Sequence, residues 1–172
     1  MQIECIWATN SHYRKSSRLR KRHLRFFLTL FSIFVLTMRA YNGIERPDFT
    51  PDYITEMKAD EVFVFGSNLA GMHGGGAAYV AFRQFGAVMG CGVGLRGQSY
   101  AIPTMQGGVE TIEPYVTEFI AFAKAHPELF FYVTRIGCGI AGFRDKEIAP
   151  LFADAIDVDN ICLPETFVKV LK

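Results

Sequence analysis

The sequence predicts an α/β fold, a three-layer α/β/α sandwich around a central mixed sheet. Three observations predict it. Short apolar runs at 61–65, 99–103, 129–134 and 161–164 have the length and Val, Ile, Phe and Tyr content of buried strands, and they alternate with helical stretches. Two of these runs pass directly into glycine-rich loops that lead to helices. The chain has 172 residues, half of them hydrophobic, which suits one domain with a substantial core.

The chain opens with a segment unlike the rest. Residues 12–25, HYRKSSRLRKRHLR, are strongly basic, and 26–38 form a run of thirteen mostly apolar residues. Such a run is shorter than the roughly 20 residues that span a bilayer. Three readings stand: a start at Met38 with translated flanking sequence upstream, a membrane-associating anchor, or a cleaved signal. The long basic region and the lack of an A-x-A site weigh against the signal. Residues 1–45 are therefore read as an N-terminal extension and 46–172 as the functional domain.

Residues 46–51, with Pro47, Asp48 and Thr50, read as loop. The run 61–65, EVFVF, is a strand that Gly66, Ser67 and Asn68 end. Gly71 and the triplet Gly74, Gly75 and Gly76 follow, and Ala77 opens a helix through Phe85. The stretch 86–97, with glycines at 86, 90, 92, 94 and 97, reads as an irregular connection to the strand SYAIP at 99–103. In 111–125, Ile112, Tyr115, Val116, Phe119, Ile120, Phe122 and Ala123 recur at helix spacing, and Pro127 ends the helix. LFFYVT at 129–134 has the continuous apolar character of a central strand. The second glycine loop, 135–143, follows it. Asp145 is then expected to cap a helix over 146–155, before a last strand at 161–164.

The formal net charge of +1 hides a split. Residues 51–172 carry nine Lys and Arg against fourteen Asp and Glu, a balance of −5. That body has no strong nucleic-acid signal. The basic segment would meet acidic lipid or nucleic acid only if residues 12–38 are translated. Cys5, Cys91, Cys138 and Cys162 form no C-x-x-C pair, and no zinc spacing is present, so reduced thiols and a cytoplasmic location are expected, with a membrane-associated location as the alternative through the N-terminal segment. No cofactor motif is read and no metal site is expected.

Chemistry concentrates in the two glycine loops. In a largely parallel sheet the strand-to-helix loops gather at one edge, so both should face one crevice. Bare backbone N–H groups beside a helix N-terminus attract anions, phosphate above all. The first loop is neither a Walker A sequence nor a Rossmann fingerprint. Asn68 either positions a ligand or caps the turn. His73 is either a base near neutral pH or an exposed loop residue. Cys138 is either a thiolate nucleophile or a packing residue. Arg135 and Arg96 either pair with phosphate or lie in solvent. Gln98, Ser99 and Thr104 are further pocket candidates.

Taken together, the blocks VFVFGSNLAGMHGGGAA (62–78), GLRGQSYAIPT (94–104) and YVTRIGCGIAGF (132–143) resemble macrodomains, and are most similar to small phage-associated proteins with FGSNLAG, GQSYAIPT and IGCGIAGF blocks. The resemblance covers about residues 50–167. It implies binding of ADP-ribose or a related nucleotide diphosphate, with ADP-ribosyl hydrolysis from a modified macromolecule as an alternative. An interaction protein with no nucleotide ligand is a third reading. By motif, Gly66 would border the ligand and Asn68 would hydrogen-bond the distal ribose. Gly74, Gly75 and Gly76 would lie along the diphosphate and that ribose. Gly137, Gly139, Ile140, Ala141 and Gly142 would wrap the diphosphate, with Phe143 near the distal ribose. The adenine-reading Asp of macrodomains corresponds to about Tyr53, with Asp52 beside it. Asn68 and His73 are the candidates for any catalysis. The two-carboxylate pattern of glycosidases is missing from the first loop.

Overall fold

Four parallel strands bring their carboxyl ends to one edge of a five-stranded sheet in the computed structural model, which describes residues 38–172; the spatial order is Gly94–Arg96, Ser99–Pro103, Glu61–Ser67, Phe130–Val133, Ile161–Cys162. The basic segment 12–25 and nearly all of the apolar run 26–38 lie outside the described residues. The strands are β3 (Glu61–Ser67), β4 (Gly94–Arg96), β5 (Ser99–Pro103), β6 (Phe130–Val133) and β7 (Ile161–Cys162). β3 pairs in parallel with β5 and β6, β6 in parallel with β7, and β4 antiparallel with β5. The sheet is thus mixed. Its antiparallel member lies in the stretch expected to be irregular.

Alternation along the strands divides the core. Val62, Val64, Tyr100, Ile102, Phe131, Val133 and Ile161 point to one face. There they meet Val116, Phe119, Ile120 and Ala123 of α2 (Glu113–Ala125). Phe119 sits edge-on to Tyr100 and Phe131, with centroids 5.1 and 5.5 Å away. The expected 146–155 helix contributes Ile148 and Phe152 to this face, but not as one helix. It is a turn of α-helix, α3 (Asp145–Ile148), continued by a 3-10 helix, Ala149–Ala155, which has Pro150 at its start. A further helix, α4 (Glu165–Leu171), brings Phe167 to the same cluster.

The opposite face is covered by two pieces. Phe63, Phe65 and Ala101 pack on Ala78, Ala81 and Phe85 of the first helix, α1 (Gly76–Gln84). Phe130, Tyr132 and Cys162 pack under Tyr41, Ile54 and Met57. Tyr41 belongs to a hairpin of β1 (Met38–Tyr41) and β2 (Ile44–Pro47). Asn42 and Gly43 turn it with φ of 51° and 74°, the positive values that a tight hairpin with right-handed strand twist requires. The hairpin straddles the boundary expected at 45/46, and residues 44–47, read partly as loop, are strand.

The hairpin is fastened by Arg46, which is fully buried. Its guanidinium pairs with Asp60 at 2.6 Å and with Glu61, and lies 4.6 Å from the Phe130 ring centre. Glu61 also accepts the Lys58 N–H at 2.7 Å and the Tyr132 hydroxyl at 3.3 Å. Burial, with Glu61 beside it, pushes the Tyr132 hydroxyl up to about 12, so it stays a donor. The outer edge of β7 is covered in turn: Arg39 and Thr50 donate to the carbonyls of Ile161, Cys162 and Leu163.

Candidate functional site

β3 and β6 are neighbours and parallel, so the loops that follow them leave the sheet side by side. They enclose a crevice of about 180 Å³. Gly66, Asn68, Gly75, Gly76, Gly137, Gly139, Ile140 and Ala141 line it, together with Thr104 and Arg135. At the floor the loops nearly touch: a Cβ on Gly66 would sit 3.3 Å from both the Gly137 nitrogen and the Thr104 hydroxyl. At the mouth, a Cβ on Gly75 would lie 3.2 Å from the end of Ile140. Gly137 has a φ of +72° that side chains rarely adopt, and a Cβ there would press on Ile148.

The crevice gathers unspent backbone donors. α1 begins at Gly76 with Gly75 as its cap, no side-chain cap bond and no acidic residue in its first turn. The N–H groups of Gly76, Ala77 and Ala78 are therefore left as a helix start leaves them. In the second loop, Cys138 and Gly142 donate to the carbonyls of Arg135 and Gly139, and Phe143 donates to that of Gly137. The N–H groups of Gly137, Gly139, Ile140 and Ala141 make no hydrogen bond among the described residues. Two sets of donors, one carrying the positive end of a helix dipole, thus border the same space.

Several expected site residues are elsewhere. His73 is fully buried, edge-on to Phe65 at 5.3 Å, and its Nε2 donates to the Val88 carbonyl at 3.1 Å. It is neither an exposed loop residue nor a base in the crevice. The packing that loop 86–92 supplies over it has no local sequence signal. Gly74 and Gly142 are exposed and outside the crevice lining, and Phe143 turns inward to pack on the core. Asn68 lines the crevice, but its amide clasps Met72: Nδ2 donates to the Met72 carbonyl at 3.0 Å and Oδ1 accepts the Met72 N–H at 3.1 Å. Gln98 and Ser99 lie at the opposite end of the sheet, donating to Lys58, Glu61 and Arg96 carbonyls. Arg96 donates to the adjacent Leu95 carbonyl and does not line the crevice.

Asp145 does not cap α3. Arg144 holds that position, and the Glu147 carboxylate accepts its N–H at 2.8 Å. Asp145 instead takes the fork of Arg135, Nε at 3.0 Å and Nη2 at 2.8 Å. Burial and the adjacent Asp145 carboxylate push the Cys138 thiol up to about 12, which leaves it a poor nucleophile. Cys91, Cys138 and Cys162 are free thiols; Cys162 is buried and Cys91 is half-buried.

The sequence argument passed over Met72, Met105 and Thr134, which line the crevice. Met105 had a signal in topology: it follows β5, whose carboxyl end lies beside that of β3. A second hollow of about 420 Å³ adjoins the crevice, lined by Thr50, Pro51, Asp52, Tyr53 and Pro164 and sharing the Thr134–Arg135 wall. Among the described residues no cluster of His, Cys, Asp and Glu is placed to hold a metal ion, and no helix is long and apolar enough to cross a membrane. No protein-family model, curated protein sequence or solved structure matches the chain.

Proposed function

We propose that the crevice binds ADP-ribose or a related nucleotide diphosphate. The observation that carries this is the pair of unspent N–H sets, from the start of α1 and from residues 137–141, around one glycine-lined space. Donors of this kind favour an anion whose oxygens reach both walls, and the diphosphate linkage has such oxygens. The adjoining hollow extends the site past Arg135 to Asp52 and the 91 % exposed ring of Tyr53. An adenosine there would meet an acceptor and an aromatic face, which suits the resemblance to macrodomains.

Binding is better supported than hydrolysis. The crevice lining includes no carboxylate or imidazole to move a proton. The test is a thermal-shift panel of ADP-ribose, NAD, ADP and nucleotide sugars on the wild type and on Gly75→Glu. ADP-ribose should raise the melting temperature of the wild type by several degrees, a shift that grows with the logarithm of ligand excess over Kd. The variant should lose the response, because its side chain fills the mouth beside Ile140 and adds like charge. No shift with any nucleotide would favour the interaction protein without a ligand, and released ADP-ribose from a modified substrate would favour the hydrolase.

A further inference from the structure

The crevice wall carries a single formal charge: among its lining residues Arg135 alone is ionised. The same side chain lines the adjoining hollow, so any ligand occupying both must cross it. Asp145 holds the guanidinium in a two-point grip through Nε and Nη2, while Nη1 makes no hydrogen bond among the described residues. Half of the Arg135 side chain remains open to solvent. An ion pair this exposed adds little to stability. Its grip fixes a planar cation that would otherwise sample many rotamers, so a bond to a ligand costs less ordering.

We propose that Arg135 is the side chain that selects a phosphate-bearing ligand in this crevice, with Asp145 as the positioning residue that aims it at the strip between the two hollows. The inference rests on the diphosphate reading above. Backbone N–H groups donate to any anion of suitable shape. A fixed guanidinium adds a charge-assisted bond that a phosphate oxygen satisfies and a neutral nucleoside does not.

Titration calorimetry of the full chain with ADP-ribose, ADP and adenosine tests this on the wild type, Arg135→Gln, Arg135→Lys and Asp145→Asn. Arg135→Gln should weaken ADP-ribose and ADP about tenfold and leave adenosine unchanged. Arg135→Lys should recover part of the loss, since it keeps the charge and loses the fork. Asp145→Asn separates positioning from plain electrostatics. Removing a negative charge beside the site would by itself tighten anion binding, whereas loss of aim weakens it, and about threefold weakening is expected. Full affinity for ADP-ribose in Arg135→Gln overturns the assignment and leaves the diphosphate reading standing. Tighter binding in Asp145→Asn overturns the positioning role. A wild type that binds neither diphosphate overturns both.

Discussion

In the loop after β3, His73 is buried under Phe65, its N–H meets the Met89 sulfur, and the Gly90 N–H donates to the Gly71 carbonyl at 3.0 Å. In the loop after β6, Ile140 is 73 % exposed, and a Cβ at Gly139 or Gly142 would touch nothing within 4 Å. One wall of the crevice is thus built into the body through the 86–92 segment, and the other is held to the core by Ile136, Cys138 and Phe143 while Gly139, Ile140 and Gly142 are exposed. The similar glycine content conceals this. Gly71 permits close packing of the first loop on Gly90 and Cys91, whereas Gly139 leaves the backbone of the second uncovered.

The contrast breaks most readily at Gly92. A Cβ there would fall within the Asn68 carbonyl, so Gly92→Ala should cost about 3 kcal/mol or more, read as a fall in the urea midpoint. An unchanged midpoint would mean that the first wall is not packed as described. His73→Ala comes next: emptying a fully buried site should cost about 2–3 kcal/mol in the same assay. The Arg135–Asp145 pair tests the second wall. Arg135 holds the Asp145 carboxyl below the usual range, so its contribution is present at neutral pH and lost as pH falls through that depressed value. Asp145→Asn should therefore be less stable than wild type by well under 1 kcal/mol at pH 7 and indistinguishable from it in strong acid, by urea titration at both pH values. The smallest effect is expected at Gly139→Ala, within about 0.5 kcal/mol of wild type. A large loss there would show that the second wall is as tightly held as the first.

Strands β3, β5 and β6 and helices α1 and α2 were legible because their patterns are local: β-rich apolar runs, glycine stops and a 3.6-residue period. The convergence of the glycine loops followed from topology. The rest depends on distant partners. Arg46 is read as a loop residue until Asp60, Glu61 and Phe130 are brought to it. His73 looks like a surface residue until 86–92 folds over it. The hairpin had a signal, Asn42-Gly43, but its strands are four residues long and MRAY and IERP carry little alternation. Asp145 has the chemistry of a helix cap, and a cation ten residues upstream takes its carboxylate instead.

The buried ion pair of the hairpin also sets how far the protein tolerates truncation from its amino end. A shortened chain beginning at residue 47 would keep Glu61 in the interior without its counter-ion, a loss of about 3–5 kcal/mol for a carboxylate stranded in this way. It would also strip the Phe130 ring of the Arg39 and Arg46 guanidiniums that rest against it. Trimming to Met38 keeps both arginines, so the smallest fragment that retains this anchorage includes the hairpin.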